Sequence, residues 1–237
     1  MRIFALGDPH LSFDGDGNIY KPMDIFGSNW EQHHLKIAQN WREKVSQEDV
    51  VLVPGDISWA LKLEEAVDDI NFIGSLPGIK ILVKGNHDLW WQSVTKVKKV
   101  LPQGMHVIQN DNFLVSNDYV ICGTRGWNCP GDKGFDEIED RKVYERELIR
   151  LRMSLNSIKQ KNREIIVMLH YPPTNGKHEI SGFIEILQEY KVNKCIYAHL
   201  HSDAVKSRLP ETKWGIEFHL VSADAINFSP KLICTIE

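Results

Sequence analysis

Cysteine is scarce in this chain. Four occur in 237 residues (Cys122, Cys129, Cys195 and Cys234), and no two form a C-x-x-C pair. That spacing argues against a thiolate metal site or a disulfide framework. Cys122, Cys195 and Cys234 fall in apolar, strand-like runs and read as core residues. No apolar run approaches the roughly 20 residues of a membrane span. The apolar part of the opening segment Met1–Asp8 is too short for a secretory signal, so the expectation is a cytoplasmic protein with no membrane partner. Positive charge is not in excess either. With 28 Lys and Arg against 32 Asp and Glu, the net charge is -4 and the pI about 6.2. This makes nucleic acid an unfavourable partner, although a local metal site can override global charge for a nucleotide substrate. The sequence also lacks a P-loop G-x-x-x-x-G-K motif. No internal repeat, low-complexity tract or Pro/Gly linker divides the chain. Its length and 42% apolar content suit one α/β domain spanning residues 1–237.

Asp, His and Asn side chains follow short, β-branched apolar runs at five places. Asp8 and His10 follow Ile3-Phe4-Ala5-Leu6, and Asp56 follows Val50-Val51-Leu52-Val53. Asn86, His87 and Asp88 follow Ile79 to Val83, His170 follows Ile165 to Leu169, and His199 and His201 follow Cys195 to Ala198. Such runs read as buried strands, and ligands of open α/β sheets bind beyond the carboxyl ends of strands. Asp, His and Asn are O and N donors for hard or borderline divalent metals. In extended backbone Asp8-x-His10 would place both side chains on one face, and His199-x-His201 would repeat that geometry. Glycine before Asp56 and before Asn86 permits a sharp turn.

Apolar runs and helical patterns alternate through the first hundred residues, which implies a largely parallel sheet. Ser28-Asn29-Trp30-Glu31 has capping-box form and predicts a helix from Ser28. Further helices are predicted over residues 61–73, 89–101, 136–160 and 180–190. Alternation with Asn-Asp turns over residues 105–122 predicts antiparallel strands. Late strands are predicted near 216–221 and 231–236, giving a layered α/β arrangement with mixed sheets.

Each of these signals is weak alone, since a histidine at a strand end is usually structural and an isolated Gly-Asp is usually a turn. Taken in order, Gly7-Asp8-Pro9-His10, Gly55-Asp56, Gly85-Asn86-His87-Asp88, His170 and His199-Leu200-His201 resemble the calcineurin-like metallophosphoesterase family from residue 7 to residue 201. The resemblance implies an αββα sandwich with two mixed β-sheets and flanking helices. It also implies a two-metal centre. Asp8, His10, Asp56 and His201 would hold one ion, and Asp56, Asn86, His170 and His199 the other, with Asp56 shared. The Asp/His/Asn set accepts Mn, Fe, Zn or Ni, with Mn favoured. The implied reaction is hydrolysis of a phosphomonoester or phosphodiester by a metal-bridging hydroxide, with ions about 3.5–4 Å apart clamping the attacking and leaving oxygens. His87 would act as the general acid and Asp88 would orient it. One departure is visible, Ala198 where the family has glycine before the last His-x-His.

Signals around these motifs allow two readings. Trp59, Trp90 and Trp91 either form a stacking wall for a leaving group or pack on the sheet. Arg125 either binds a phosphate bidentately or is a solvated turn residue. His33 and His34 read as packing or surface residues. Asp14-Gly15-Asp16-Gly17-Asn18 opens like a calcium loop but lacks Gly at the sixth position and Glu at the twelfth, so it reads as a surface loop. The expected partner is a small phosphoester, a nucleotide among the candidates and a phosphoprotein still open. The rival reading is a non-catalytic scaffold retaining the fold. The presence of every ligand position and of His87-Asp88 counts against it.

Overall fold

The computed structural model describes residues 1–159 and 162–236. In chain order its strands are β1 (Arg2–Ala5), β2 (Val50–Pro54), β3 (Ile79–Val83), β4 (Met105–Val107), β5 (Asn112–Leu114) and β6 (Tyr119–Thr124). These are followed by β7 (Glu164–Leu169), β8 (Lys194–Tyr197), β9 (Thr212–Lys213), β10 (Ile216–Leu220) and β11 (Lys231–Thr235). The α-helices are α1 (His33–Lys44), α2 (Val67–Ser75), α3 (Val94–Val100), α4 (Glu139–Asn156) and α5 (Gly182–Glu189). The chain forms two compact units, Met1–Val107 with Val221–Glu237, and Ile108–Leu220.

The first unit holds a five-stranded sheet in the order β11-β1-β2-β3-β4. Strands β1 to β4 are parallel neighbours, and β11 closes one edge antiparallel to β1. Every residue of β2 is buried, as expected for a parallel strand covered on both faces. Trp30, Trp41 and Trp90 are among the largest fully buried side chains. The Trp41 indole N–H donates to the Pro77 carbonyl at 2.9 Å, so its burial leaves no polar atom unsatisfied.

The second unit holds a six-stranded sheet in the order β5-β6-β7-β8-β10-β9. Its inner neighbours are parallel, and β5 and β9 pair antiparallel at the edges. Helices α4 and α5 pack within this unit. The Ser181 side chain caps α5 by accepting from Ile184 N at 3.2 Å. The Asp136 carboxylate accepts from the amides of Ile138 and Glu139 ahead of α4, both at 2.8 Å.

Several boundaries differ from the sequence expectation. Ser28–Trp30 forms a separate 3-10 turn, and α1 starts only after Gln32, whose φ of 49° is left-handed. Trp30 is buried edge-on against Phe228, with ring centroids 5.0 Å apart, and anchoring it requires the chain to turn before the helix begins. Helices α2 and α3 start six and five residues later than expected, at Val67 and Val94. The residues before them form turns and irregular backbone. The antiparallel expectation for residues 105–122 holds for β5 and β6. It fails for β4, which runs parallel to β3 in the first sheet. Residue 160, the expected end of the long helix, lies outside the described residues. Cys122, Cys129 and Cys195 are buried, whereas Cys234 is only half-buried on edge strand β11. Among the described residues no helix is long and apolar enough to cross a membrane.

Candidate metal centre

In the first unit the candidate ligands lie beyond the carboxyl ends of β1, β2 and β3. The loops after β1 and β2 run side by side. Asp8 N donates to Gly55 O at 3.1 Å and His10 N to Asp56 O at 3.0 Å. Asp8, His10 and Asp56 all take left-handed backbone, with φ of 55°, 44° and 50°. The extended geometry expected for Asp8-x-His10 is therefore replaced by a twisted loop, yet the ligand atoms of Asp8 and His10 still approach within 4.8 Å. Left-handed backbone costs a non-glycine residue about 1–3 kcal/mol and clusters at functional sites. The His10 Nε2 atom lies 3.8 Å from the Asp56 carboxylate. Asp8 and Asp56 are essentially fully buried, at 0% and 1% exposure. Two buried carboxylates in adjacent loops are costly unless a cation compensates them.

The two glycines act differently. Gly55 makes a turn with φ of 88°. Gly85 is required by close approach, because a Cβ there would collide with the Asp56 carboxylate and amide. Asn86 and His87 sit half-buried in the following turn, and His87 N donates to Asp56 Oδ1 at 2.8 Å.

Asp88 corrects an expectation. Its fully buried carboxylate accepts from Ile57 N (2.8 Å), Ser58 N (3.2 Å), Gly85 N (2.8 Å) and the Trp90 indole (2.9 Å). The His87 imidazole is not among these donors. The charge of Asp88 is drawn instead to the amides of two ligand loops, which it clamps together. Burial and the nearby Asp56 carboxylate push its acid form upward from the ordinary aspartate range.

The tryptophans divide between their two readings. Trp90 and Trp91 are core residues, at 0% and 6% exposure. Trp59 is half-buried and stands at the candidate site. Its ring stacks on His10 (4.9 Å between centroids, 20° between planes) and lies 4.4 Å from the His87 ring. His33 is a support that its place in a helical pattern did not reveal. It is buried, and its Nε2 lies 3.3 Å from the His10 carbonyl. Burial is the largest influence that lowers its pKa to about 4. The calcium-loop resemblance resolves into an ordinary turn, with Asp14 Oδ1 accepting the amides of Asp16 and Asn18.

In the second unit the candidate ligands are imidazoles beyond β7 and β8. His170 is fully buried. Its Nε2 lies 3.2 Å from His199 Nδ1, so two candidate ligand atoms stand side by side. His199 is left-handed, with φ of 71°, and its ring packs at 4.1 Å on Tyr171. Tyr171 is a neighbour that only its adjacency to His170 could have suggested. Ala198, the departure from the family pattern, is fully buried, and its amide donates to the His170 carbonyl at 3.0 Å. His201 is half-buried and precedes a short 3-10 helix, Ser202–Ser207. Arg125 is not a solvated turn residue. Its side chain is 18% exposed, lies 3.5 Å from the Glu147 carboxylate and covers the Trp127 ring at 4.4 Å. Its buried Nε has no hydrogen-bond acceptor among the described residues.

The donor chemistry fits divalent ions. The first unit supplies carboxylates, one imidazole and an amide, and the second supplies imidazoles. Residues 1–203 match the calcineurin-like phosphoesterase family. The Gene 66 protein of Mycobacterium phage D29 is 41% identical over 87 residues, covering 37% of this chain and 40% of that protein. The match thus spans about two fifths of that curated relative. Among solved structures, TT1561 of Thermus thermophilus is similar with a TM-score of 0.58 and 13% identity, over 98% of each chain. Phosphopantetheinyl hydrolase (PptH) of Mycobacterium tuberculosis gives 0.56 and 12%, over 99% of this chain and 96% of that one. The protein of unknown function AQ665 from Aquifex aeolicus gives 0.50 and 15%, over 98% and 95%. At such identities the likeness shows fold, and it agrees with the expected pair of mixed sheets with flanking helices.

Proposed function

The chain belongs to the calcineurin-like phosphoesterase family, and on that premise we propose that it is a two-metal phosphohydrolase acting on a small phosphomonoester or phosphodiester. Asp8, His10, Asp56 and His201 would hold one ion, and Asp56, Asn86, His170 and His199 the other. The observation that carries this reading is the pair of buried carboxylates, Asp8 and Asp56, on adjoining left-handed loops. A fold maintains that cost where positive charge is to be bound. When bound, such ions supply an acidified water nucleophile and neutralise the phosphate.

The chain's own residues do the rest. Asp88 fixes the loops that carry Asp56 and Asn86. His87, against Trp59 and 5.6 Å from the His10 ring, gives a proton to the leaving oxygen. Arg125, beside Glu147 and over the Trp127 ring, is assigned to the substrate phosphate. We place the chain in the cytoplasm, a setting with which its small number of cysteines accords.

The test is elemental analysis followed by a phosphate-release panel of mono- and diesters, on protein stripped of metal and then given manganese. Two ions per chain and metal-dependent turnover are expected. Metal binding with no turnover across the panel would favour the scaffold reading.

A further inference from the structure

Trp59 borders more than the candidate metal ligands. It also lines a pocket of about 540 Å³ built wholly from the first unit, within the roughly 300–1,000 Å³ usual for small-molecule sites. Phe13, Tyr20 and Trp59 supply its aromatic walls. Asp14, Glu64, Glu65 and Asp68 supply four carboxylates, against the single ammonium of Lys21. Asp14 is held ionised by the amides of its own turn, chiefly Asn18. Glu65 is fixed by the amides of Leu61 and Lys62, both at 3.2 Å. Lys62 lies 3.7 Å from Glu65 and still leaves negative charge in excess.

The Lys21 Nζ atom sits 4.0 Å from the centre of the Trp59 ring. The ring therefore already receives a cation, supplied by the chain itself. Aromatic walls with surrounding carboxylates are the arrangement that recognises organic ammonium groups. Lys21 is exposed and can swing away, so its ammonium occupies the place a ligand would take.

We propose that this pocket receives the leaving-group end of the phosphoester, and that this end carries an ammonium group. Trp59 joins the two functions, with its ring stacked on His10, beside His87 and open to the pocket. A substrate with phosphate at one end and ammonium at the other matches a site that would be cationic once metals are bound and whose pocket is anionic. The leaving-group assignment rests on the hydrolase reading, whereas ammonium binding does not.

The experiment is calorimetric titration of the metal-stripped full chain with choline, with its uncharged isostere dimethylbutanol and with adenosine. Choline is expected to bind about tenfold tighter than dimethylbutanol, the size of a partly desolvated cation–π contact. The rim substitutions Glu64→Gln and Asp68→Asn, at exposed positions that spare the fold, should weaken choline several-fold. Lys21→Met should tighten it by removing the internal competitor. With metal restored, phosphocholine should exceed dimethylbutyl phosphate about tenfold in kcat/KM. Equal binding of the isostere, stronger binding of adenosine, or weaker choline binding by Lys21→Met would each overturn the ammonium site. Choline binding together with equal kcat/KM for the two esters, or with no turnover of either, would overturn the leaving-group role alone.

Discussion

The two units offer candidate metal ligands of opposite character. The first offers buried carboxylates on left-handed loops, and a fully buried Asp88 clamps those loops through four donors. The second offers imidazoles, of which His199 and His201 remain half-buried and only His199 is left-handed. A neutral imidazole can be buried at modest cost, but a carboxylate cannot. The first half therefore needs a scaffold that holds repelling charges in place, whereas the second needs only correct ring orientation. Substitutions in the first unit should disturb fold and chemistry together, and those in the second chemistry alone.

The largest effect should come from Asp56→Asn, which removes the ligand proposed to be shared and disturbs the His87 amide contact. We expect kcat/KM to fall by at least about 10³-fold, the several kcal/mol that a metal site supplies, with both ions weakened. His199→Ala should weaken one ion by at least about 10²-fold, the upper end for loss of a mere outer partner, and leave the melting temperature nearly unchanged. Elemental analysis with thermal melts checks the pair. Equal losses of stability in both variants would break the contrast.

His87→Ala should keep both metals and lose about 10²–10⁴-fold on alkyl phosphoesters, with less lost on nitrophenyl esters, whose leaving group needs little protonation. A rate series over leaving groups of rising pKa measures this. Parallel lines for wild type and variant would remove the acid role.

Asp88→Ala sharpens the comparison at the level of the scaffold. It strands three buried amides and an indole, and unfolding free energy should fall by about 3 kcal/mol or more. The urea midpoint reports it. A loss below about 1 kcal/mol would mean that the loops are held by other contacts.

The smallest effect concerns Asp69, buried beneath the same loops. Its carboxylate accepts from Ser58 Oγ and, at 2.8 Å, from Phe13 N. Burial raises its pKa from 3.8 to about 6. A raised acid favours the folded state while protonated, so its contribution is full below about pH 4 and is lost as pH rises through about 6. Asp69→Asn should gain up to about 3 kcal/mol relative to wild type across that window. Urea unfolding of metal-stripped protein at pH 4 and pH 7 tests this, and an equal difference at both would refute the assignment.

Much of this was legible in the sequence because strands and ligands share a simple pattern. The runs ending before Asp8, Asp56, Asn86, His170 and His199 are buried strands, or lead directly out of them, and the donors follow at their carboxyl ends. Helix starts were less legible. The capping-box residues at Ser28 serve a 3-10 turn, because Trp30 must reach Phe228. The partners of Asp88 are not legible, since adjacency to His87 says nothing of which way a buried carboxylate points. Nor could periodicity separate Trp59 from Trp90, as both follow ligand motifs and only three-dimensional packing exposes one of them.

Strand β11 has a consequence in time. It pairs with β1, and Val221 O accepts from Gly7 N at 2.8 Å, immediately before Asp8. The loop bearing the first candidate ligands is thus fastened by residues synthesised about 200 positions later. At about 5–20 residues per second, the ribosome needs roughly 10–40 s to deliver that fastening. Throughout that interval β1 presents an unpaired edge, and the nascent chain has to be kept from aggregating through the strand that leads into its own ligand loop.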